Sequence, residues 1–314
     1  MDSQLLTFVT VVEKKSFSLA ARELHLTQPA VTTQIHNLEK HYGVKLLDRD
    51  NKYVRPTPAG QKLYEYARQI IALYNYAHAE LKELGGIMHG RLSVGATYTI
   101  AENILPQVIG FFKTEYPEVE IAICLGNREE IFRALSEGRC DVILVAGDCY
   151  NKKVICENWL KDNLVLIVNS DHPWAERGSI VPLELYEERF ILREVGSSSR
   201  QLWENALREK GFEPAKLNVF LELNSHEAIK KWVELNFGVA VLSEWVVIKE
   251  VRLKTLVKVN IEGLSLCRNI NLIYPKHRLH PVAEEFLRFC RLNKNRFLNM
   301  LDESGVVNTP AVNK

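Results

Sequence analysis

The first 43 residues contain three stretches in which apolar side chains recur at helical spacing. Residues 3–14 are predicted to form the first amphipathic helix. A short second helix follows, with Ser18 as its expected N-cap, and a third begins at Thr27, where the following proline suits the first helical turn. Gly43 is expected to end the third helix. The apolar face of this helix leaves four polar side chains pointing outward: Gln28, Thr32, Thr33 and His36.

Residues 46–56 predict two very short strands joined by a polar turn beside the third helix. Cations in such a segment suit DNA phosphates or a minor groove, while short polar side chains on a helix suit base edges in the major groove. Any compact three-helix bundle has the same apolar period, so a bundle without a DNA role is the alternative on periodicity alone. The combination favours a winged helix-turn-helix that binds double-stranded DNA. The candidate DNA contacts are Ser18, Thr27, Gln28, Pro29, Thr32, Thr33, His36, Arg49, Lys52 and Arg55.

A long apolar stripe begins after Thr57, a good N-cap that is followed by Pro58. The stripe runs from Leu63 to Leu84 and stops at Gly85-Gly86, which we interpret as a hinge. A small domain does not cover so long a stripe, so the helix is predicted to pair with a second copy of the chain. A core helix within one chain is the alternative.

From Arg91 onward, short apolar strands alternate with helices, which is typical of parallel α/β structure. Strands are predicted over 91–96, 119–124, 141–145, 164–168, 190–192, 219–223, 239–242 and 269–274. Helices are predicted over 104–112, 131–137, 198–210, 226–236 and 281–292. The last strand and helix return to the first part of this region, which makes the first folding unit of the region discontinuous.

Several motifs in the first sixty residues resemble the DNA-binding domain of LysR-type transcriptional regulators. The resemblance rests on Ser16-Phe17-Ser18-Leu19-Ala20-Ala21, Leu24, Thr27-Gln28-Pro29-Ala30-Val31-Thr32, Gln34-Ile35, Leu38-Glu39 and Thr57-Pro58-Ala59-Gly60. It implies that the long helix is a dimerising linker, that homodimers or homotetramers bend DNA, and that the C-terminal half has the two-lobed fold of periplasmic solute-binding proteins. Leu47 and Thr33 depart from the family, which often has phenylalanine and a basic residue there. These departures bear on the operator sequence.

The predicted fold class is therefore α+β and multidomain. A winged helix-turn-helix is expected over residues 1–58, and a linker helix with its hinge over 59–86. An α/β effector domain, two-lobed and like the type 2 periplasmic binding proteins, is expected over 87–301. Lobe 1 takes in about 91–161 and 267–301, lobe 2 takes in about 162–266, and residues 302–314 are expected to be a disordered tail.

Four short polar segments follow predicted strands, where open α/β sheets bind ligands near helix N-termini. Plain helix capping explains any one of them, because Ser, Thr and Asn cap helices generally. Four such segments facing one cleft together predict a binding site for a small anion, either an oxyanion or a carboxylate. The family resemblance points to the same positions. The candidate effector residues are Thr97, Tyr98, Thr99, Asn127, Arg193, Gly196, Ser197, Ser198, Asn224 and Ser225.

The formal net charge is only +1, so the overall charge does not indicate DNA binding. The prediction of DNA binding therefore rests on the local arrangement of residues. No apolar run reaches the roughly 18 residues of a membrane span, and the N-terminus lacks a secretory signal. We therefore expect a cytoplasmic protein that does not enter a membrane. The resemblance to transcriptional regulators makes RNA polymerase an expected further partner. A solute-binding protein without a DNA role is a rival class, and it would need export.

Catalytic and cofactor motifs are missing from the sequence, which has no GxGxxG, P-loop, HExxH or GxSxG. No catalytic residue, cofactor or metal site is therefore assigned, and an enzyme is the less favoured class. The six cysteines have neither a CxxC pair nor zinc-like spacing, so we predict buried, reduced thiols, with a redox switch as the alternative. Redox-sensing relatives have a cysteine pair after the Gly-Ser-rich turn, whereas residues 196–215 contain none, which disfavours that mechanism. The effector half is similar to regulators of sulfur or carbon assimilation.

Overall fold

The structure is a computed structural model, and it describes residues 3–50, 53–83, 88–149, 151–276 and 278–301. The predicted hinge at Gly85-Gly86, Lys52 and the predicted tail lie outside the described residues. The N-terminal region consists of α1 (Ser3–Lys14), α2 (Phe17–Glu23), α3 (Gln28–Tyr42), β1 (Leu47–Asp50), β2 (Tyr53–Pro56) and α4 (Pro58–Glu83). The predicted helix-turn-helix, wing and long helix are thus confirmed. Across the described ranges, no helix has the length and apolar character needed to cross a membrane.

The helices of this region pack around an apolar core that includes Phe8 and Ile35, both fully buried. Thr27 caps α3 as predicted, because its hydroxyl accepts a hydrogen bond from a backbone amide of the first turn. Gly43 follows the helix with a φ of 67°, a conformation that residues with a Cβ rarely adopt. Both ends of α3 are therefore set by residues next to it in the sequence.

The N-cap predicted for α2 is wrong by two residues. Ser16 caps this helix, and its hydroxyl accepts a hydrogen bond from the Leu19 amide at 3.3 Å. The helix already begins at Phe17, whose ring packs against the domain core, so Ser18 lies on the exposed first turn. The packing of the Phe17 ring therefore decides between two serines that are equally good caps in the sequence.

The C-terminal region alternates strands and helices as predicted. Its strands are β3 (Gly90–Thr97), β4 (Val119–Gly126), β5 (Val142–Ala146), β6 (Val154–Asn169), β7 (Ser179–Ile180), β8 (Arg189–Arg193), β9 (Asn218–Leu223), β10 (Ala240–Ser243), β11 (Leu256–Ile261) and β12 (Cys267–Pro275). Its helices are α5 (Tyr98–Asn103), α6 (Leu105–Glu115), α7 (Arg128–Ser136), α8 (Pro173–Arg177), α9 (Ser198–Glu209), α10 (His226–Glu234), α11 (Glu244–Arg252), α12 (Pro281–Leu292) and α13 (Lys294–Leu298).

Two lobes share one path of strands in the order β4-β3-β5-β12-β6-β11-β7, with β10 also paired to β6. In lobe 1, β3 is parallel to both β4 and β5. In lobe 2, β8 and β9 form a separate parallel pair. The long strand β6 pairs first with β12 and then with β10 and β11, so it carries the chain from lobe 1 into lobe 2. The chain returns to lobe 1 through β12.

Each lobe has its own apolar core. Phe112 and Phe286 pack edge to face in lobe 1, and Phe190 stacks on Trp203 in lobe 2. Trp245 of α11 is buried in the lobe 1 core, although the next residues of α11 pack against lobe 2 strands. The helix α11 therefore attaches the two lobes to each other.

Two of the six cysteines depart from the prediction of reduced thiols. The Sγ atoms of Cys149 and Cys156 are joined in a disulfide, with 6.3 Å between the Cα atoms. The pair is separated by seven positions, without a CxxC motif, and it meets only because the chain turns from the end of β5 to the start of β6. The other four cysteines are free thiols. Cys140 and Cys290 are buried, Cys124 is half-buried and Cys267 is exposed.

Candidate DNA interface and effector cleft

The first turns of α3 present an exposed polar face. Gln28, Thr33 and His36 are exposed there, as is Pro29, and Thr32 is half-buried. Ser18 joins this face, because its hydroxyl donates to Oε1 of Gln28 over 2.9 Å. The hydroxyls of Thr32 and Thr33 donate to backbone carbonyls one turn earlier. Each threonine can therefore contact a partner through its methyl group or accept a hydrogen bond at its hydroxyl oxygen. Short polar side chains on the first turns of a recognition helix suit the major groove.

The wing is fixed to the recognition helix by one carboxylate. Oε1 of Glu39, on α3, accepts hydrogen bonds from two consecutive backbone amides at the start of the wing, at 2.9 and 3.2 Å. Arg49 belongs to β1 and Arg55 is exposed on β2, which pair as antiparallel strands. Lys52 lies outside the described residues. The phosphate contacts expected of Arg49 and Arg55 stay a prediction.

The linker helix α4 has one buried face and one exposed apolar face. Tyr64 and Ala67 are buried against the DNA-binding domain. Tyr66, Ile70 and Leu73 are 64%, 50% and 67% exposed, and their spacing places them on one side of the helix. A single copy of the chain leaves this stripe uncovered.

Arg68 of α4 connects the DNA-binding domain to lobe 1. Its Nη1 lies 2.5 Å from Oε1 of Glu13 on α1 and 3.1 Å from the Tyr64 hydroxyl. Its Nη2 donates to the carbonyl oxygen of Gly138 at 2.9 Å. Gly138 follows the C-terminal end of α7, so one guanidinium bridges the first helix of the chain and a helix of the effector domain.

The candidate effector segments follow parallel strands at shared sheet edges. In lobe 1, Thr97 at the end of β3 pairs with Gly126 at the end of β4, so the segments after these strands are neighbours. In lobe 2, Arg193 at the end of β8 pairs with Leu223 at the end of β9. The carboxyl ends of parallel strands are where open α/β sheets bind ligands.

Thr99 of lobe 1 and His226 of lobe 2 meet between the lobes. Thr99 Oγ1 lies 3.4 Å from Nε2 of His226, and Nη1 of Arg193 contacts the same ring nitrogen. The other nitrogens of the Arg193 guanidinium donate to the Glu194 carboxylate at 2.8 and 2.9 Å. Two of the predicted effector residues, Thr99 and Arg193, therefore surround an imidazole that the sequence analysis did not select.

The imidazole of His226 is neutral at physiological pH. Burial, followed by the nearby positive charges of Arg193, Lys230 and Arg268, lowers its pKa to about 3. Its 3.8 Å approach to the Glu102 carboxylate is therefore not an ion pair. A neutral imidazole beside two guanidinium groups donates or accepts one hydrogen bond at each nitrogen without adding charge.

Arg268 of β12 lies at the junction of the lobes. Its guanidinium pairs with the Asp162 carboxylate of β6 at 2.8 and 2.7 Å, and both residues are buried. Asp162 also accepts a hydrogen bond from the Ser243 hydroxyl at 2.5 Å. Nη1 of Arg268 donates to Oγ of Ser198 at 3.2 Å. A buried ion pair needs such additional partners, which here hold Arg268 next to a predicted effector residue.

Helix capping accounts for part of the predicted set. Oδ1 of Asn127 accepts from a backbone amide of α7 at 3.0 Å in a capping box, and Ser225 Oγ accepts from an amide of α10 at 3.3 Å. Within the described residues, the side chains of Thr97 and Ser197 make no cap hydrogen bond, although both occupy N-cap positions. Ser197 Oγ instead lies 2.9 Å from the hydroxyl of Ser199. The remaining predicted residues are exposed: Tyr98, Gly196 and Asn224.

Sequence reasoning missed His226 and Arg268. Arg268 follows Cys267 at the start of a strand that is otherwise largely apolar, and Asp162 interrupts the apolar run of β6. Opposite charges on the two strands that join the lobes were the signal that could have found this pair. His226 stands directly after Ser225, at the first position of α10, where nothing local distinguishes it from an ordinary helix residue.

Comparison with known proteins covers most of the chain. Residues 3–61 match the family model of the bacterial regulatory helix-turn-helix protein, lysR family, and residues 86–293 match the LysR substrate binding domain. The chain is 34% identical over 275 residues to a probable RuBisCO transcriptional regulator of Trieres chinensis, covering 86% of this chain and 89% of that protein. It is 31% identical over 297 residues to the HTH-type transcriptional regulator CysL of Bacillus subtilis, covering 95% of each.

Two solved structures illustrate the similarity of fold. A full-length OxyR variant from Pseudomonas aeruginosa has a TM-score of 0.74 and 22% sequence identity, covering 93% of this chain and 95% of that chain. The CcmR regulatory domain of Synechocystis PCC6803, in complex with 2-PG, has a TM-score of 0.60 and 26% identity, covering 66% of this chain and 98% of that chain. Both comparisons extend over the two-lobed part of the molecule.

Proposed function

We propose that this chain, which belongs to the LysR family of transcriptional regulators, reads its operator with the exposed face of α3 and binds a small anionic effector between its lobes. One observation carries the effector proposal. Polar side chains from separate segments converge where the lobes meet, Thr99 on His226 and Ser198 on Arg268. The CcmR regulatory domain, a similar structure, was solved in complex with 2-PG.

In the proposed DNA complex, the first turns of α3 enter the major groove. The side-chain amide of Gln28 has the donor and acceptor that bind adenine bidentately, and Ser18 orients it through a 2.9 Å hydrogen bond. The methyl group of Thr32 suits the methyl group of thymine. Arg49 and Arg55 on the wing contact phosphates, which adds affinity without sequence preference.

The proposed effector is an oxyanion or a carboxylate small enough to lie between the lobes. Arg193 and Arg268 supply positive charge, but each already pairs with a carboxylate, so hydrogen bonds carry much of the recognition. Ser198 and Thr99 supply hydroxyl groups from opposite lobes. Only the state in which the lobes are close offers both hydroxyls to one ligand, so ligand binding favours that state.

We also propose that α4 pairs with α4 of a second copy, which covers the stripe of Tyr66, Ile70 and Leu73. A two-fold pair of chains places two recognition helices on one operator, so we expect a pseudo-palindrome with half-sites separated by whole helical turns. A homotetramer built from two such dimers is the alternative assembly. Light scattering that found a monomer at working concentration would contradict the pairing.

Arg68 is proposed to carry the effector signal to the DNA-binding domain. The helix α7 begins after Asn127, at the ligand edge of the lobe 1 sheet, and ends next to Gly138, which Arg68 binds at 2.9 Å. A shift of α7 when the lobes close would alter this hydrogen bond. Arg68 would then transmit the change to Glu13 on α1, which it contacts at 2.5 Å.

The remaining assignments follow from regulation of transcription. We propose that the protein works in the cytoplasm and that RNA polymerase is a further partner. We also propose that it has no catalytic activity, which agrees with the names of its relatives as transcriptional regulators.

The test combines calorimetry with DNA binding by the purified chain. We titrate 2-PG, inorganic phosphate and sulfate, and measure operator affinity on the upstream DNA of its own gene with and without each anion. At least one anion should bind, and at a hundred times its dissociation constant it should stabilise the protein by about 2.7 kcal/mol. It should also shift operator affinity in the unmodified chain.

The Arg68→Ala variant should still bind the anion and the operator, but the anion should no longer shift operator affinity. Lys62→Ala is the matched control, because Lys62 is exposed on the same helix. If none of the anions bound, the effector proposal would be contradicted while the DNA proposal would stand. If the anion still shifted operator affinity in Arg68→Ala, the route through Arg68 would be wrong.

A further inference from the structure

We propose that Cys149 and Cys156 form a reversible disulfide, through which the protein responds to low-molecular-weight disulfides such as oxidised glutathione. The Sγ atoms are joined, and the 6.3 Å between the Cα atoms lies within the range of natural disulfides. Both residues are half-buried. The pair lies in lobe 1, outside the segment 196–215 and outside the proposed effector contacts.

Two of the other cysteines, Cys140 and Cys290, are poor competitors for oxidation. Burial and the neighbouring Cys124 raise the pKa of Cys140 to about 12, and burial raises the pKa of Cys290. Such thiols stay protonated, and the protonated form is not the nucleophile. Cys267 is exposed on β12 and is free. Among the described residues, only Cys149 and Cys156 are disulfide-bonded.

The disulfide joins two segments that other contacts also hold. Arg128, the first residue of α7, donates through Nη1 to the carbonyl oxygen of Ala146 at 3.0 Å and through Nη2 to that of Asp148. Nδ2 of Asn271 on β12 donates to the carbonyl oxygen of Gly147 at 2.7 Å. The end of β5 is therefore attached to α7 and β12 without the disulfide. The disulfide adds a covalent link from this segment to the start of β6, the strand that joins the lobes.

A reversible bond fits this position better than a permanent one. Lobe 1 has a large apolar core, so it does not need a crosslink to fold. Permanent disulfides are rare in the reducing cytoplasm, where disulfides in most proteins are transient. This step rests on the proposed cytoplasmic location, whereas the chemistry of the pair can be tested independently of effector and DNA.

The reaction is thiol–disulfide exchange in two steps. The thiolate of one cysteine attacks oxidised glutathione, forms a mixed disulfide and releases one glutathione thiolate. The second protein thiolate then attacks the protein sulfur of the mixed disulfide and releases the second glutathione. The two protein thiols are oxidised, the glutathione disulfide is reduced to two thiols, and the two protons go to the departing thiolates.

The test uses the full chain, reduced and then equilibrated in buffers with different ratios of reduced to oxidised glutathione. Samples are quenched with acid, alkylated and digested with trypsin, which separates the two cysteines by cleaving at Lys152 and Lys153. We expect linked peptides in the oxidising buffers, an intact mass lower by two hydrogens, and loss of the link in the reducing buffers. Hydrogen exchange at the start of β6 should be slower in the oxidised form.

Two variants make the result specific. In Cys149→Ser, the remaining Cys156 should stop at the mixed disulfide, so the tryptic peptide that contains Cys156 should gain the mass of one glutathione. Cys267→Ser is the matched control and should form the same link as the unmodified chain. Separate alkylation of Cys149 and Cys156 at every ratio would overturn the proposal. A link that survived a large excess of reduced glutathione would also overturn it, because the bond would then be a permanent crosslink.

Discussion

The DNA-binding face and the effector cleft are built in different ways. On α3, Gln28 and Thr32 make hydrogen bonds to residues at most ten positions away, and the face is exposed. In the cleft, Thr99 meets His226 from 127 positions away, and Arg268 meets Ser198 from 70 positions away. The first surface can change without affecting the fold, whereas the second depends on buried charges that stabilise one another.

Breaking the buried ion pair of the cleft should have the largest effect. Arg268→Ala leaves the Asp162 carboxylate buried without its cation, which should destabilise the effector domain by about 3–5 kcal/mol. All five tryptophans lie between Trp159 and Trp245, so urea unfolding followed by tryptophan fluorescence reports on this domain alone. Arg268→Met combined with Asp162→Leu removes both charges and should recover most of the loss. Equal destabilisation by the single and double variants would mean that the pair is not the cause.

A change on the DNA-binding face should affect recognition and leave folding intact. Gln28→Ala should cost about 1–3 kcal/mol of discrimination between the operator and its single-base variants, with an unchanged thermal unfolding curve. Arg55→Ala should instead weaken binding to every sequence and lower the salt slope by about one. Fluorescence anisotropy with labelled duplexes at several salt concentrations measures both. Full discrimination by Gln28→Ala would mean that another part of the protein reads the bases.

Acid should destabilise the effector domain through the cleft. The pKa of His226 is about 3 in the folded protein, below its ordinary value of 6.5, so between these values the unfolded chain binds a proton that the folded chain does not. The stability that depends on the neutral imidazole is therefore fully present above pH 6.5. As the pH falls below this value, the free energy of unfolding decreases by up to about 1.4 kcal/mol per pH unit. Tryptophan-monitored unfolding between pH 7 and 5 should show this slope.

Variants of two histidines assign the acid sensitivity. His226→Gln should flatten the slope, because glutamine does not titrate. His36→Gln is the control, since His36 is exposed on α3, and it should leave the slope unchanged. A slope that persisted in His226→Gln would argue against a buried neutral imidazole.

The elements around the DNA-binding face could be predicted because their signals are local. Thr27 and Gly43 adjoin the helix that they delimit, and the predicted caps of α3 are the observed ones. The N-cap of α2 was predicted at Ser18 instead of Ser16 because the packing of Phe17 decides where the helix begins. Packing is a tertiary effect that the local sequence does not reveal.

The cleft could be predicted only in part. Thr99 and Ser198 follow strands, so the order of strands and helices was enough to predict them near the site. At Asn127 and Ser225, nothing in the sequence distinguishes a ligand contact from an ordinary helix cap, which is what the structure shows. His226 and Arg268 could not be ranked, because their partners lie far along the chain. The disulfide was missed for the same kind of reason, since its two cysteines meet only after the loop has folded.

The most direct test measures both sites in the same two variants, Thr99→Val and Gln28→Ala, by anion calorimetry and operator anisotropy. Thr99→Val removes a hydroxyl with little change of volume and should cost about 0.5–1.5 kcal/mol of anion affinity. Thr114→Val is its control, because that hydroxyl donates to a backbone carbonyl on α6. We predict that Thr99→Val loses anion affinity and keeps operator discrimination, and that Gln28→Ala does the reverse. Unchanged anion affinity in Thr99→Val, or lost anion affinity in Gln28→Ala, would contradict the separation of sensing from DNA reading.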